Sequence, residues 1–227
     1  MSGRARFAAA LAGGAVAWAP LVWERLPELA LQPAADWWRD ATVARRLLLD
    51  VAAVADADAL FVVAVPGVRG GGDEALDALA SGSDAGAVCS LLERLAASAP
   101  FATIALVPDA DVLARDFGAE DVECAEDALA DLVRAVLEAG ADAVALSGDA
   151  AAASADRVAG IASYYGRPVL VLDAAPRFAA GSDAPVVVVG DDGAAPAGFS
   201  AGLAVTAGDV SARWDAAALR RAGEGLR

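Results

Sequence analysis

Leu60-Phe61-Val62-Val63-Ala64-Val65-Pro66-Gly67 is a continuous apolar run with an abrupt stop. A strand covered on one face alternates apolar and polar residues, whereas one apolar at every position is covered on both faces, as in parallel sheets. Outward from this run the same pattern recurs. Upstream, residues 34–55 place Val43, Leu47, Val51 and Val54 at helical spacing and predict a long amphipathic helix. Ser2 is placed to cap a short first helix through Leu11 that stops at Gly13-Gly14, and Val16 to Trp23 reads as extended. Downstream, helices are expected around 73–80 and 84–98, then a strand from Phe101 to Val107 closed by Pro108-Asp109. Helices at about 109–117 and 120–139 lead to a strand from Asp142 to Leu146 and a helix over 151–165. Val169 to Leu172, Val186 to Val189 and Leu203 to Thr206 read as further strands. Ala174 to Ala184 offers no more than a turn or two, and Asp209 to Leu219 reads as a closing helix. Alternating helices and two-sided strands make an α/β domain with parallel pairing over residues 1–227. Six to eight strands fit a (β/α)8 TIM-type barrel, truncated or incomplete, or an open doubly wound sheet. Periodicity alone does not choose between them.

Composition narrows the partners. All 17 basic residues are arginine, there is no lysine, histidine or asparagine, and 32 acids bring the net charge to −15. Such a surface repels nucleic-acid phosphates and anionic lipid, so neither is an expected partner. It is read as the solvation shell of a protein from a salt-rich, halophilic cytoplasm, with no cationic partner implied. Without histidine there is no mixed His/Cys zinc site and no Ser-His-Asp triad. Cys89 and Cys124 form no CxxC pair and fit two reduced thiols on helices. No metal or cofactor is expected. Arg4, Arg6 and the run from Phe7 to Val22 imitate a signal peptide, but that run is alanine- and glycine-rich and broken by Gly13-Gly14. The expectation is a cytoplasmic protein with no membrane span.

The amino-terminal order Arg6-Phe7, Ala10-Leu11, Gly13, Val16, Pro20, Trp23 and Arg25 resembles the opening of the uroporphyrinogen decarboxylase and methyltransferase family. Ala57-Asp58-Ala59, leading into the run at 60–65, and Glu138-Ala139-Gly140-Ala141-Asp142-Ala143-Val144 are similar to the family's helix-to-strand turns. The resemblance implies a barrel, an anionic small-molecule ligand (a tetrapyrrole in the family's own reaction), a dimer, and Arg25 as a substrate-facing arginine. It also implies a carboxy-lyase if the chain is an enzyme. The departures are specific. Val65 stands where the family carries a substrate-binding aspartate, Leu29 where it carries a second arginine, and its carboxyl-terminal histidine motif is missing. The chain is therefore read as a divergent, shortened member that binds an anion without the family's catalysis. Two alternatives stay open: tetrapyrrole decarboxylation itself, and docking on a full-length relative or corrinoid protein through the Trp-rich amino terminus.

In a barrel, chemistry sits on loops at the carboxyl ends of strands. Those loops carry Arg69 with Gly70-Gly71-Gly72, Pro108-Asp109, Ser147-Gly148-Asp149, Asp173 and Asp191-Asp192. Arg25 and Arg69 offer planar donor forks for a carboxylate or phosphate. Asp149, Asp173 and Asp191 are the candidate acids, for Mg²⁺ or for acid–base work, although each also fits a helix cap or surface charge and Asp149 reads as an N-cap before Ala150. The ligand-binding set is thus Arg25, Arg69, Asp149 and Asp173. Trp18, Trp23, Trp37 and Trp38 fit either an aromatic wall or buried packing in a core or interface.

Overall fold

The computed structural model describes residues 1–29, 37–67, 70–119, 121–189, 196, 198–206 and 214–226. Helix and strand alternate from the start: α1 (Gly3–Leu11), β1 (Val16–Ala19), α2 (Leu26–Leu29), α3 (Ala41–Ala55), β2 (Ala59–Val63), α4 (Gly72–Asp77), α5 (Ser83–Ser98) and β3 (Ala102–Pro108). There follow α6 (Ala110–Phe117), α7 (Val122–Glu138), β4 (Ala143–Ser147), α8 (Ala151–Tyr164) and β5 (Val169–Leu172). The remainder is β6 (Arg177–Ala180), β7 (Val186–Val189), β8 (Gly202–Thr206) and α9 (Ala216–Gly225). The chain is α/β with largely parallel sheets. One sheet orders β2-β3-β4-β5-β6 and the other β1-β8-β7. Every ladder is parallel except β5–β6.

The two sheets are tied at Asp58. Its N–H donates to the Trp18 carbonyl at 2.9 Å, and its carboxylate accepts from the Trp18 N–H at 3.1 Å. The same carboxylate takes Arg6 Nη1 of α1 at 2.6 Å. Asp142 repeats the device two strands on, accepting from the Thr103 N–H at 2.9 Å and pairing with Arg4 Nε at 3.2 Å. Each aspartate sits in an Ala-Asp-Ala turn just before a strand, where a short carboxylate reaches a backbone N–H of the preceding strand.

Two-residue periodicity divides the strand side chains into two cores. Trp18, Leu60, Val62, Val107, Val144, Leu146 and Val171 pack outward against the helices. The opposite faces supply Ala17, Ala19, Ala59, Phe61, Ala102, Ile104, Ala143, Ala145, Leu170, Leu203 and Val205 to a separate cluster. Phe7 and Ala10 of α1 complete that second cluster. Its alanines explain how both sheets crowd around one narrow core, since small side chains let backbones approach.

Three boundaries differ from the sequence expectation. The helix expected over 34–55 begins at Ala41, because the Asp40 carboxylate accepts from the Thr42 and Val43 N–H groups and sets the first turn there. Residues 174–184 contain β6, which turns back antiparallel on β5 where a turn or two was expected. The closing helix runs from Ala216 with Asp215 as its cap; residues 209–213, its expected start, lie outside the described residues. Among the described residues no helix is long and apolar enough to cross a membrane.

Candidate functional site

At the carboxyl ends of the strands the second core opens into a cavity of about 440 Å³. Leu21 beyond β1, Phe61 of β2, Leu106 of β3, Leu172 of β5, Val188 of β7 and Val205 of β8 form its apolar wall. Ser147 at the end of β4, Thr206 at the end of β8 and Asp173 just past β5 supply the polar groups. Leu172, Asp173 and Ala174 also border an adjoining opening of about 530 Å³, completed by Gly148, Asp149 and Ala175. A mostly apolar hollow with a few placed polar groups is the usual form of a small-molecule site.

The polar groups are fixed by local structure. Asp173 Oδ2 takes Arg177 Nη1 at 2.7 Å, and Oδ1 accepts from the Ala175 N–H at 2.9 Å. The Arg177 bond, reinforced by that N–H, holds the Asp173 carboxyl below the usual carboxylate range, so it is ionised at neutral pH. Thr206 Oγ1 accepts from the Leu21 N–H at 3.0 Å and ties the rim of β8 to the chain leaving β1. The Ser147 side chain follows Ala143 and Ala145 on the inward face of β4, and its hydroxyl makes no hydrogen bond among the described residues.

The four expected ligand contacts divide. Asp149 and Asp173 do come together, on the adjoining opening. Arg25 is not in the described cavity wall: it closes a 3-10 turn, Trp23–Arg25, and its Nε donates to Glu28 Oε2 at 2.6 Å. Arg69, Asp191 and Asp192 lie outside the described residues. Asp149 is not the cap of α8. That position is Ala150, with no side-chain cap; the Asp109 carboxylate caps α6 through the Val112 N–H at 2.8 Å and accepts from the Ala150 N–H, just before α8, at 2.8 Å. Asp109 is fully buried, so it joins two helices and does not face a ligand.

The positions that carry charge in the resembling family are apolar contacts here. Leu29 and Val65 both pack against the outward core. The four tryptophans of the amino-terminal region are buried, with Trp18 stacked 6.2 Å from Trp214 and Trp23 4.6 Å from Trp37. They are core and form neither an aromatic wall nor a docking face. Cys89 and Cys124 lie on α5 and α7, and burial, followed by nearby acids, pushes both thiols up, away from nucleophilic character. No cluster of three metal-binding side chains occurs among the described residues.

No family model and no curated protein matches this chain. Thr206 lies outside the expected strand-end loops, and Ser147 stands among those loops but outside the expected ligand-binding set. For Ser147 a signal existed, since the alternation Ala143, Ala145, Ser147 carries the inward face of β4 to its tip.

Proposed function

We propose that the chain is a variant (β/α)8-type barrel, on the plan of the uroporphyrinogen decarboxylase family, that binds a small molecule at its strand tips without that family's catalysis. The observation that carries this reading is the cavity itself. Its wall draws on seven of the eight strands or the residues just past them, and it lies over an alanine-rich core that α1 completes. Ligand sites of this architecture lie at that end of the strands. The antiparallel β5–β6 hairpin stands where the (β/α)8 plan would place a helix.

The described wall holds one carboxylate and no guanidinium. A tetrapyrrole polycarboxylate would set its acids against Asp173 with no described cation in the wall to meet them. Both replacements, Leu29 and Val65, also count against the family's reaction. Fluorescence titration with 1-naphthalenemethanol, a neutral apolar probe, tests the cavity. Saturable one-to-one binding is expected, weakened tenfold or more by Leu106→Trp and by the smaller intrusion Ser147→Leu. Absence of binding, or binding indifferent to both variants, overturns the reading. Anaerobic incubation with uroporphyrinogen at high salt is expected to yield no coproporphyrinogen.

A further inference from the structure

We infer that the ligand is an apolar body bearing a protonated amine, held by Asp173 with Asp149 at the outer lip. This rests on the cavity being the binding site and names the chemistry it selects. Asp173 lies on the seam between the two hollows, bordering both. A molecule with its body against Phe61, Leu106 and Val205 has its polar end beside that carboxylate. A carboxylate offers about four acceptor positions, and among the described residues Asp173 accepts two hydrogen bonds from other residues, one from Arg177 and one from the Ala175 N–H. The partner Arg177 has half of its side chain exposed, so solvent screens that pair. An ammonium arriving from the cavity side adds a donor without displacing a buried partner. Ser147, whose hydroxyl is unengaged among the described residues, offers an acceptor on the same wall.

The wider field agrees. A net charge of −15 raises the local concentration of cations and repels anions, most strongly in a cleft with low-dielectric walls. Asp149 extends the negative lining outward, where a second amine or the approach of the first would be favoured. A hydroxyl on the same body gains at most a hydrogen bond without charge attraction, and an anionic end is repelled by both carboxylates.

The test uses three probes of one shape: 1-naphthalenemethylamine, 1-naphthalenemethanol and 1-naphthoate, titrated by fluorescence at 0.05 M and 1 M NaCl. The amine is expected to bind at least tenfold tighter than the alcohol at low salt, and the naphthoate weakest. Asp173→Asn should bring amine and alcohol within about twofold of each other while leaving the alcohol unchanged. Asp149→Asn should lower amine affinity by a smaller factor, and it keeps the inference testable if the Asp173 variant fails to fold. Loss of the amine's advantage at 1 M salt in the wild-type protein supports it independently. Equal binding of amine and alcohol by the wild-type protein overturns the inference and leaves the cavity reading standing. Failure of all three to bind overturns both.

Discussion

Asp109 shows how one buried side chain can organise a rim. Its carboxylate is fully buried and accepts N–H groups from two helix starts, Val112 of α6 and Ala150 beside α8. Gly148 is the consequence. Its φ is 134°, in the region that favours glycine, and a Cβ there would fall inside the van der Waals shell of the Asp109 carboxylate. Asp109→Ala leaves two donors unsatisfied and should cost about 2–4 kcal/mol of stability. Gly148→Ala should cost at least as much. Because part of the Gly148→Ala penalty is the clash, it should shrink by about 1 kcal/mol or more when Asp109→Ala is already present. A denaturant double-mutant cycle measures this. Strict additivity would show that Gly148 is needed for its backbone angle alone.

At the scale of elements, caps decide where helices begin. Asp40 caps α3, and bonds from the Val43 and Thr42 N–H groups hold its carboxyl below the ordinary value. A carboxyl lowered on folding binds fewer protons in the native state, so its contribution is present above its unfolded pKa and is lost as pH falls through the folded one. The denaturation midpoint should therefore drop between about pH 5 and pH 2. In Asp40→Asn, whose side chain caps nearly as well, that drop should be smaller while the midpoint at pH 7 hardly changes. Equal acid slopes for the two proteins would remove Asp40 from the account. The body of α3 was legible from Val43, Leu47 and Val51, but its start was not, since Ala34 and Ala35 continue a helix-forming composition across the cap. β6 was illegible for the opposite reason: Arg177 and Ala179 are exposed, so this edge strand carries no apolar run. Asp149 and Asp173 could be found because acids directly after buried strands are conspicuous. The apolar wall could not, because Phe61, Leu106 and Val205 look like any other strand residues until pairing brings them together. Arg25 followed from a motif, and a local partner, Glu28, took it elsewhere.

At the scale of the whole molecule, charge is the largest influence on stability that individual contacts do not reveal. The 32 acids against 17 arginines repel one another most strongly in the compact state. Most of the described ion pairs have at least one exposed partner and are worth little singly, so they do not offset this. The midpoint of thermal unfolding should rise steadily from 0.05 M to 2 M NaCl, with most of the screening gain complete by about 1 M, where the Debye length falls to about 3 Å. A flat or falling curve would show that the acids are already matched within the fold. There is also a matter of timing in the pairing of β1 with β8 and the stacking of Trp18 on Trp214. Strand β1 must wait for a strand far along the chain before that flank is covered, which makes closure slow and leaves the Trp18 indole without its Trp214 partner until then. Chains halted before residue 202 would carry that ring in water, and a red-shifted emission from stalled intermediates would record the wait.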